Sequence, residues 1–116
     1  MFLMAGFMAF STGTSWGSFG LLIPIAGEIM LNLGAQDLLI PALGAVLAGA
    51  VLGDHISPIS DTTILSATGT QANIITHVST QLPYAMIAAG SSVIGYFVAA
   101  AADNVVAGLV TTLAVM

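Results

Sequence analysis

The stretch Gly53-Asp54-His55-Ile56-Ser57-Pro58-Ile59-Ser60-Asp61-Thr62-Thr63-Ile64-Leu65-Ser66 decides how this chain is read, because it sets two carboxylates inside apolar sequence. Upstream, Leu38 to Leu52 is small and apolar throughout. The same imbalance holds for all 116 residues: 58% are hydrophobic, 4% are charged, and there is no lysine or arginine. A soluble domain carries roughly a quarter charged residues, so this composition cannot furnish a water-exposed surface. That excludes an ordinary globular enzyme and a disordered segment. With a net charge of −5 and no cation, it also excludes a nucleic-acid binder. What remains is a membrane protein or a piece of one. No cysteine is present, which removes disulfides, thiolate chemistry and most structural zinc sites.

A spanning helix takes about 20 apolar residues, so the chain is expected to be all-α and polytopic, with about four transmembrane segments, some of them discontinuous. Residues 1–33 read as one helix broken by the polar turn 11–18, whose irregular backbone survives at membrane depth only where it lines a cavity or is buried in protein. Residues 38–69 read as a short helix, a polar turn at 54–61 and a second short helix. In the first of these, Gly44, Ala45, Ala48, Gly49 and Ala50 form the expected close-approach face. Residues 70–81 are expected to be a loop, 82–102 a spanning helix, and 105–116 the start of another. The missing basic residues leave orientation unreadable by the positive-inside rule. They also suggest, with the apolar run that closes the sequence, a segment of a longer transporter core. Two short apolar halves, each ending in a Ser/Thr-rich turn punctuated by Gly or Pro, are the sequence pointer to a site built from broken helices.

The chemistry centres on Asp54 and Asp61. An acidic residue near the bilayer centre costs about 2.5–3.5 kcal/mol on insertion scales and therefore faces the protein interior and serves a function. With no Lys or Arg on the chain, these carboxylates must be protonated, bind a cation or pair with a residue elsewhere. Pro58 disfavours helix at Ser57 and is favoured at a first helical position. Ser57 is therefore read as an N-cap, Asp61 as first-turn and Asp54 as lying on non-helical backbone before it. Ser57, Ser60, Thr62 and Thr63 supply neutral oxygen ligands suited to a hard cation. Ser11, Thr12, Thr14 and Ser15 are candidates to line the cavity beside Trp16. Each hydroxyl taken alone is read first as bridging helices or satisfying broken backbone; the cluster with both aspartates points to a site. Asp61 is the first candidate for Na+ and proton, with Asp54 its partner. His55 is a pH-sensing candidate rather than a metal ligand, because no HExxH or similar spacing accompanies it. His77 and Tyr84 read as interfacial, and Asp37 and Asp103 as solvated. Glu28 stands open between a supporting carboxylate and a helix end.

The central stretch resembles the signature of the NhaC-type sodium/proton antiporter family. Phe10-Ser11-Thr12-Gly13-Thr14-Ser15-Trp16-Gly17 and His77-Val78-Ser79-Thr80-Gln81-Leu82-Pro83-Tyr84-Ala85 are similar to that family too. The likeness covers about residues 8–85. It implies a multi-pass secondary transporter of the cell (inner) membrane, several-fold longer than this chain, exchanging Na+ for H+ with Asp54 and Asp61 on the ion pathway. The chain departs from the family pattern at Ile74, Thr76 and Ser79, where the family often carries ionisable residues.

The expected function is secondary active transport, in which proton and Na+ compete for the Asp61/Asp54 site. No cofactor is expected beyond the transported ions. The expected partners are membrane lipid, Na+, H+ and the remainder of the parent transporter, with homo-oligomerisation left open. Two alternatives stand beside this reading: exchange or Na+-coupled transport of a small organic acid of the malate/lactate kind, and a non-transporting membrane subunit. An enzyme is not expected, since no nucleophile–base or metal constellation is present.

Overall fold

Gly13 and Pro58 interrupt the helices of the N-terminal part of the chain, and the fold is organised around those two interruptions. The computed structural model describes residues 1–116 and consists of helices and turns, without strands. The helices are α1 (Phe2–Thr12), α2 (Ser15–Asn32), α3 (Leu39–Ile56), α4 (Asp61–Gly69), α5 (Ile74–Ala101) and α6 (Val105–Val115), with a 3-10 turn at Gln36–Leu38. They form two compact units, Met1–Gln81 and Leu82–Met116.

In the first unit, α1 ends because Gly13 takes the left-handed conformation, φ 70° and ψ 23°, returning its N–H to the Ala9 carbonyl at 2.8 Å. A side chain on Gly13 would meet the Ile59 carbonyl at 2.7 Å, so space and dihedral both require glycine. Thr14 is extended and caps α2, its Oγ1 accepting from the Gly17 N–H at 3.4 Å. The break is therefore Gly13-Thr14, narrower than the polar turn 11–18 expected from composition. Ser11 and Thr12 are helical, their hydroxyls donating to the Phe7 and Met8 carbonyls one turn back, at 2.8 and 2.9 Å, so neither side chain is left over to cap α2.

The end of α3 is also displaced from the sequence reading. Asp54 is helical, because Pro58 lacks only the N–H that would reach the Asp54 carbonyl. Ser57 N–H takes that carbonyl instead, at 3.1 Å, and the helix runs on to Ile56. Ser57-Pro58-Ile59-Ser60 then form a turn closed by the Ser60 N–H on the Ser57 carbonyl at 3.3 Å, with Pro58 in the position where its fixed φ is favoured. Accordingly Ser60, not Ser57, caps α4, its Oγ accepting from the Thr63 N–H at 3.5 Å.

The face that α3 buries is Ala45, Val46, Gly49, Ala50, Gly53 and Asp54. Gly44 has open space around its Cβ position and Ala48 is exposed, so the packing face is rotated from the one expected. Gly49 and Gly53, four apart, lie directly against α1: a Cβ on Gly49 would run into the Phe2 carbonyl, and one on Gly53 into the Gly6 carbonyl. Small residues permit this backbone-to-backbone approach where apolar burial gives little drive between helices. Ala5, Ala9, Ala26, Val46 and Ala50 form the buried core around it.

The expected loop 70–81 is largely helical. Only Thr70–Asn73 interrupts, and Asn73 Oδ1 caps α5 by accepting from the Ile75 and Thr76 N–H groups at 3.0 and 3.2 Å. A polar run is no obstacle to helix once its first donors are capped. In the second unit, Gly95 on α5 and Gly108 on α6 face each other closely, a Cβ on Gly108 meeting the Gly95 carbonyl at 2.6 Å. Asn104 caps α6 through the Val106 and Ala107 N–H groups at 2.9 and 3.1 Å. Asn104→Ala removes a cap worth about 1 kcal/mol. Amide exchange at Val106 and Ala107, followed by mass spectrometry, is expected to quicken about fivefold.

Two helical stretches are long and apolar enough to cross a membrane, Gln36–Ile56 and Ile74–Ala101, while α1 and α6 are apolar but short. Of the roughly four expected spans, length and composition thus single out two. Large apolar side chains such as Phe7, Trp16, Ile40 and Phe97 are exposed, as befits surfaces meeting hydrocarbon or other protein rather than water.

Candidate functional site

The two interruptions meet, and Asp54 lies where they do. Breaking a helix strands the carbonyls of its last turn, and here other segments satisfy them. Ser57, fully buried, donates its hydroxyl to the Phe10 carbonyl near the end of α1 at 2.8 Å. Gln81 on α5 donates its side-chain amide to the His55 carbonyl near the end of α3 at 2.6 Å.

Asp54 is buried on the last turn of α3, 9% exposed. Three hydroxyls surround its carboxylate, one from the start of α2 and two from the start of α4. Ser60 Oγ donates to Oδ1 at 2.7 Å. Ser15 Oγ, in the first turn of α2, donates to Oδ2 at 3.2 Å, and Thr62 Oγ1 on α4 approaches Oδ2 at 3.4 Å. Ser60 Oγ and Thr62 Oγ1 are also hydrogen-bonded to one another at 2.8 Å. A hydroxyl has one proton and two lone pairs. With its proton on Oδ1, Ser60 accepts from Thr62 and from the Thr63 N–H, and its capacity is filled.

The two carboxylate oxygens thus differ. Oδ1 is held tightly by a hydroxyl that is itself fixed at a helix cap. Oδ2 has only longer contacts, to Ser15 and Thr62, so it is the oxygen freer to take up a proton or a cation. Hydrogen bonds to a charged group contribute about 1.5–3 kcal/mol each, so this shell offsets a large part of the cost of burying the charge. It supplies no opposite charge.

The other candidates are arranged as follows. Asp61 is the first residue of α4 and is exposed, its Oδ1 accepting from the Thr62 N–H at 2.7 Å; a carboxylate there is favoured by the helix N-terminus. Thr63 is buried and contributes its backbone N–H to Ser60. Of the residues expected to line a cavity, only Ser15 reaches Asp54. Ser11 and Thr12 bond to their own helix, Thr14 caps α2, and Trp16 is 82% exposed, edge-on to Phe19. His55 is exposed in the last turn of α3, and Glu28 is exposed on α2. Gln81 and Ser18 were not singled out by sequence. Ser18 is buried and donates to the Thr14 carbonyl at 3.0 Å; its place one turn after the break was the available signal.

Ser60→Ala removes both the short bond to Asp54 and the cap of α4. The expected cost is about 2–3 kcal/mol, read as a lowered thermal midpoint of the purified protein in detergent, while Ser60→Thr keeps most of the stability.

Comparison with known proteins adds to this geometry. The model of the Na+/H+ antiporter family matches residues 1–101. The chain belongs to the Na+/H+ antiporter family. That family is one of membrane transporters. An uncharacterized protein of Haemophilus influenzae is 54% identical over 112 residues, 97% of this chain and 21% of that protein. The malate-2H(+)/Na(+)-lactate antiporter of Bacillus subtilis is 37% identical over 83 residues, 69% of this chain and 17% of the antiporter. An uncharacterized Na(+)/H(+) antiporter of Haemophilus influenzae is 37% identical over 79 residues, 68% and 16% respectively. The chain spans about a fifth or less of the length of these relatives. No solved structure matches it significantly.

Proposed function

We propose that the chain is the ion-binding segment of a longer, NhaC-type antiporter of the cell membrane, which exchanges Na+ for H+ by letting the two compete at its embedded aspartates. The observation that carries this reading is a buried carboxylate with hydroxyl partners and no cationic partner, at the junction of two broken helices. A carboxylate so placed is neutralised by a proton or a metal cation, and the two exclude each other at one oxygen.

Asp54 holds the exchanging ion through Oδ2, and Ser15 and Thr62 supply the neighbouring oxygens. All-oxygen coordination suits a hard cation, and a single carboxylate suits a monovalent one. Ser60 orients Asp54 through Oδ1. Asp61 sits beside this group on α4 as the second carboxylate of the pathway. The sequence alone favoured Asp61 as principal; the hydroxyl shell around Asp54 is the reason for placing Asp54 first. Movement of one helix group against another then exposes the site to either side of the membrane in turn.

The test is reconstitution of the parent transporter in liposomes carrying an imposed pH gradient. Adding Na+ to wild type is expected to collapse the gradient, and Asp61→Asn to slow the collapse about tenfold. A folded sample that ignores Na+ would reject simple Na+/H+ exchange. A second reading, exchange of small organic acids, draws on the malate/lactate relative. It predicts that the gradient responds to malate or lactate and not to Na+ alone. Unimpaired transport by both Asp61→Asn and Asp54→Asn would instead favour a non-transporting subunit role for this segment.

A further inference from the structure

The segment His77-Val78-Ser79-Thr80-Gln81-Leu82-Pro83-Tyr84 takes no part in the proposed ion site, yet one of its side chains reaches the turn that carries Asp54. The last turn of α3 is short of donors for a definite reason. Pro58 ends the helix, so the chain leaves in the 57–60 turn and the Ile59 N–H does not return to the His55 carbonyl as it would in a continuing helix. Gln81 Nε2 fills that vacancy at 2.6 Å, across 26 residues of sequence. The arrangement repeats that at the other break, where Gly13 ends α1 and Ser57 satisfies the Phe10 carbonyl.

We propose that Gln81 is a positioning residue for the ion site: by donating to the His55 carbonyl it holds the last turn of α3, and with it the Asp54 carboxylate, within reach of Ser15, Ser60 and Thr62. His55 and Asp54 are consecutive, so a shift of the His55 peptide carries the Asp54 backbone with it. The contacts at stake are directional. Oδ2 accepts from Ser15 Oγ at 3.2 Å, and loosening by a few tenths of an ångström takes that bond beyond hydrogen-bond range; Thr62 Oγ1, its proton committed to Ser60, stands 3.4 Å from Oδ2 as a neighbouring oxygen. The inference deepens the proposed exchange reading and rests on it for the transport readout alone.

Gln81→Met keeps the length of the side chain and removes the donor. Gln81→Glu, also isosteric, is the second variant should the first fail to fold. Both are made in the parent transporter, and folding is checked by yield and by a single peak in size-exclusion chromatography. The first readout needs no transport: labelling of Asp54 by a hydrophobic carbodiimide, mapped by mass spectrometry, with Asp54→Asn as the blank. Loss of one hydrogen bond is expected to quicken labelling about fivefold. The second readout is the Na+ concentration for half-maximal gradient collapse, expected to rise about fivefold with the maximal rate within about twofold of wild type. A merely structural role would lower the amount of active protein and leave both quantities unchanged. Wild-type labelling of Asp54 in folded Gln81 variants overturns the proposal whichever ion is carried. Altered labelling in a wild-type background that does not respond to Na+ supports the positioning role and rejects the exchange reading.

Discussion

Asp54→Asn is expected to reduce Na+-dependent collapse of a pH gradient by at least ~100-fold, about 2.7 kcal/mol in barrier terms, while the protein still folds. Asparagine has the size of aspartate and can still accept from Ser60, so the bonds around the 57–60 turn largely persist. What disappears is the charge, and with it any reason for a proton or a cation to occupy Oδ2. Removing a buried charge that lacks a partner also relieves its desolvation cost. The variant is therefore expected to be at least as thermally stable as wild type, even as transport falls to the level of protein-free vesicles. Loss of activity with gained or equal stability separates a functional charge from a structural one. Gradient collapse and a thermal scan on the same preparation measure both.

The second large effect falls on the seam between α1 and α3. Gly53→Val is expected to abolish accumulation of folded protein, and Gly53→Ala to cost about 3 kcal/mol or more. A Cβ at this position runs into the Gly6 carbonyl and lies 2.8 Å from the Phe10 nitrogen. Both obstacles are backbone and cannot swing aside, so the helices must part. Parting them pulls Phe10 from Ser57 and, through the Gly13-Thr14 break, Ser15 from Asp54. Gly44→Ala is the control on the same helix. Nothing lies within 4 Å of its Cβ position, so it is expected to be neutral or to stabilise by about 0.5–1 kcal/mol through helix propensity. Yields and thermal midpoints in detergent check the pair.

Much of this was legible before any coordinates. Composition alone gave a membrane protein, since a chain without Lys or Arg has little else to be. The polar turn 11–18 and Pro58 marked the two breaks, and Asp54 and Asp61 stood out together because the chain offers them no cationic partner, with Asp61 placed first. The helix ends were less legible. Whether Asp54 lies inside α3 depends on which hydrogen bond Pro58 cancels and whether Ser57 replaces it. The packing face of α3 could not be fixed, because Gly44, Ala45, Ala48 and Gly49 are all small and a helix without amphipathic contrast does not announce its orientation. The helical state of residues 74–81 was hidden by their polarity, and the Asn73 cap that starts the helix went unread. The convergence of Ser15, Ser60 and Thr62 on Asp54, rather than on Asp61, and the reach of Gln81 to His55 are tertiary facts. Spacings of 39 and 26 residues between the partners leave no local pattern.

The central claim is that one proton and one Na+ exclude each other at Asp54, and it can be tested without a membrane. Na+ is added to the purified parent transporter in weakly buffered detergent solution, and proton release is followed by a pH indicator. The account predicts release that saturates with Na+, never exceeds one proton for each Na+ bound, approaches that ceiling as the starting pH is lowered, and vanishes in Asp54→Asn. Na+ binding without proton release, or release that persists undiminished in Asp54→Asn, would contradict it.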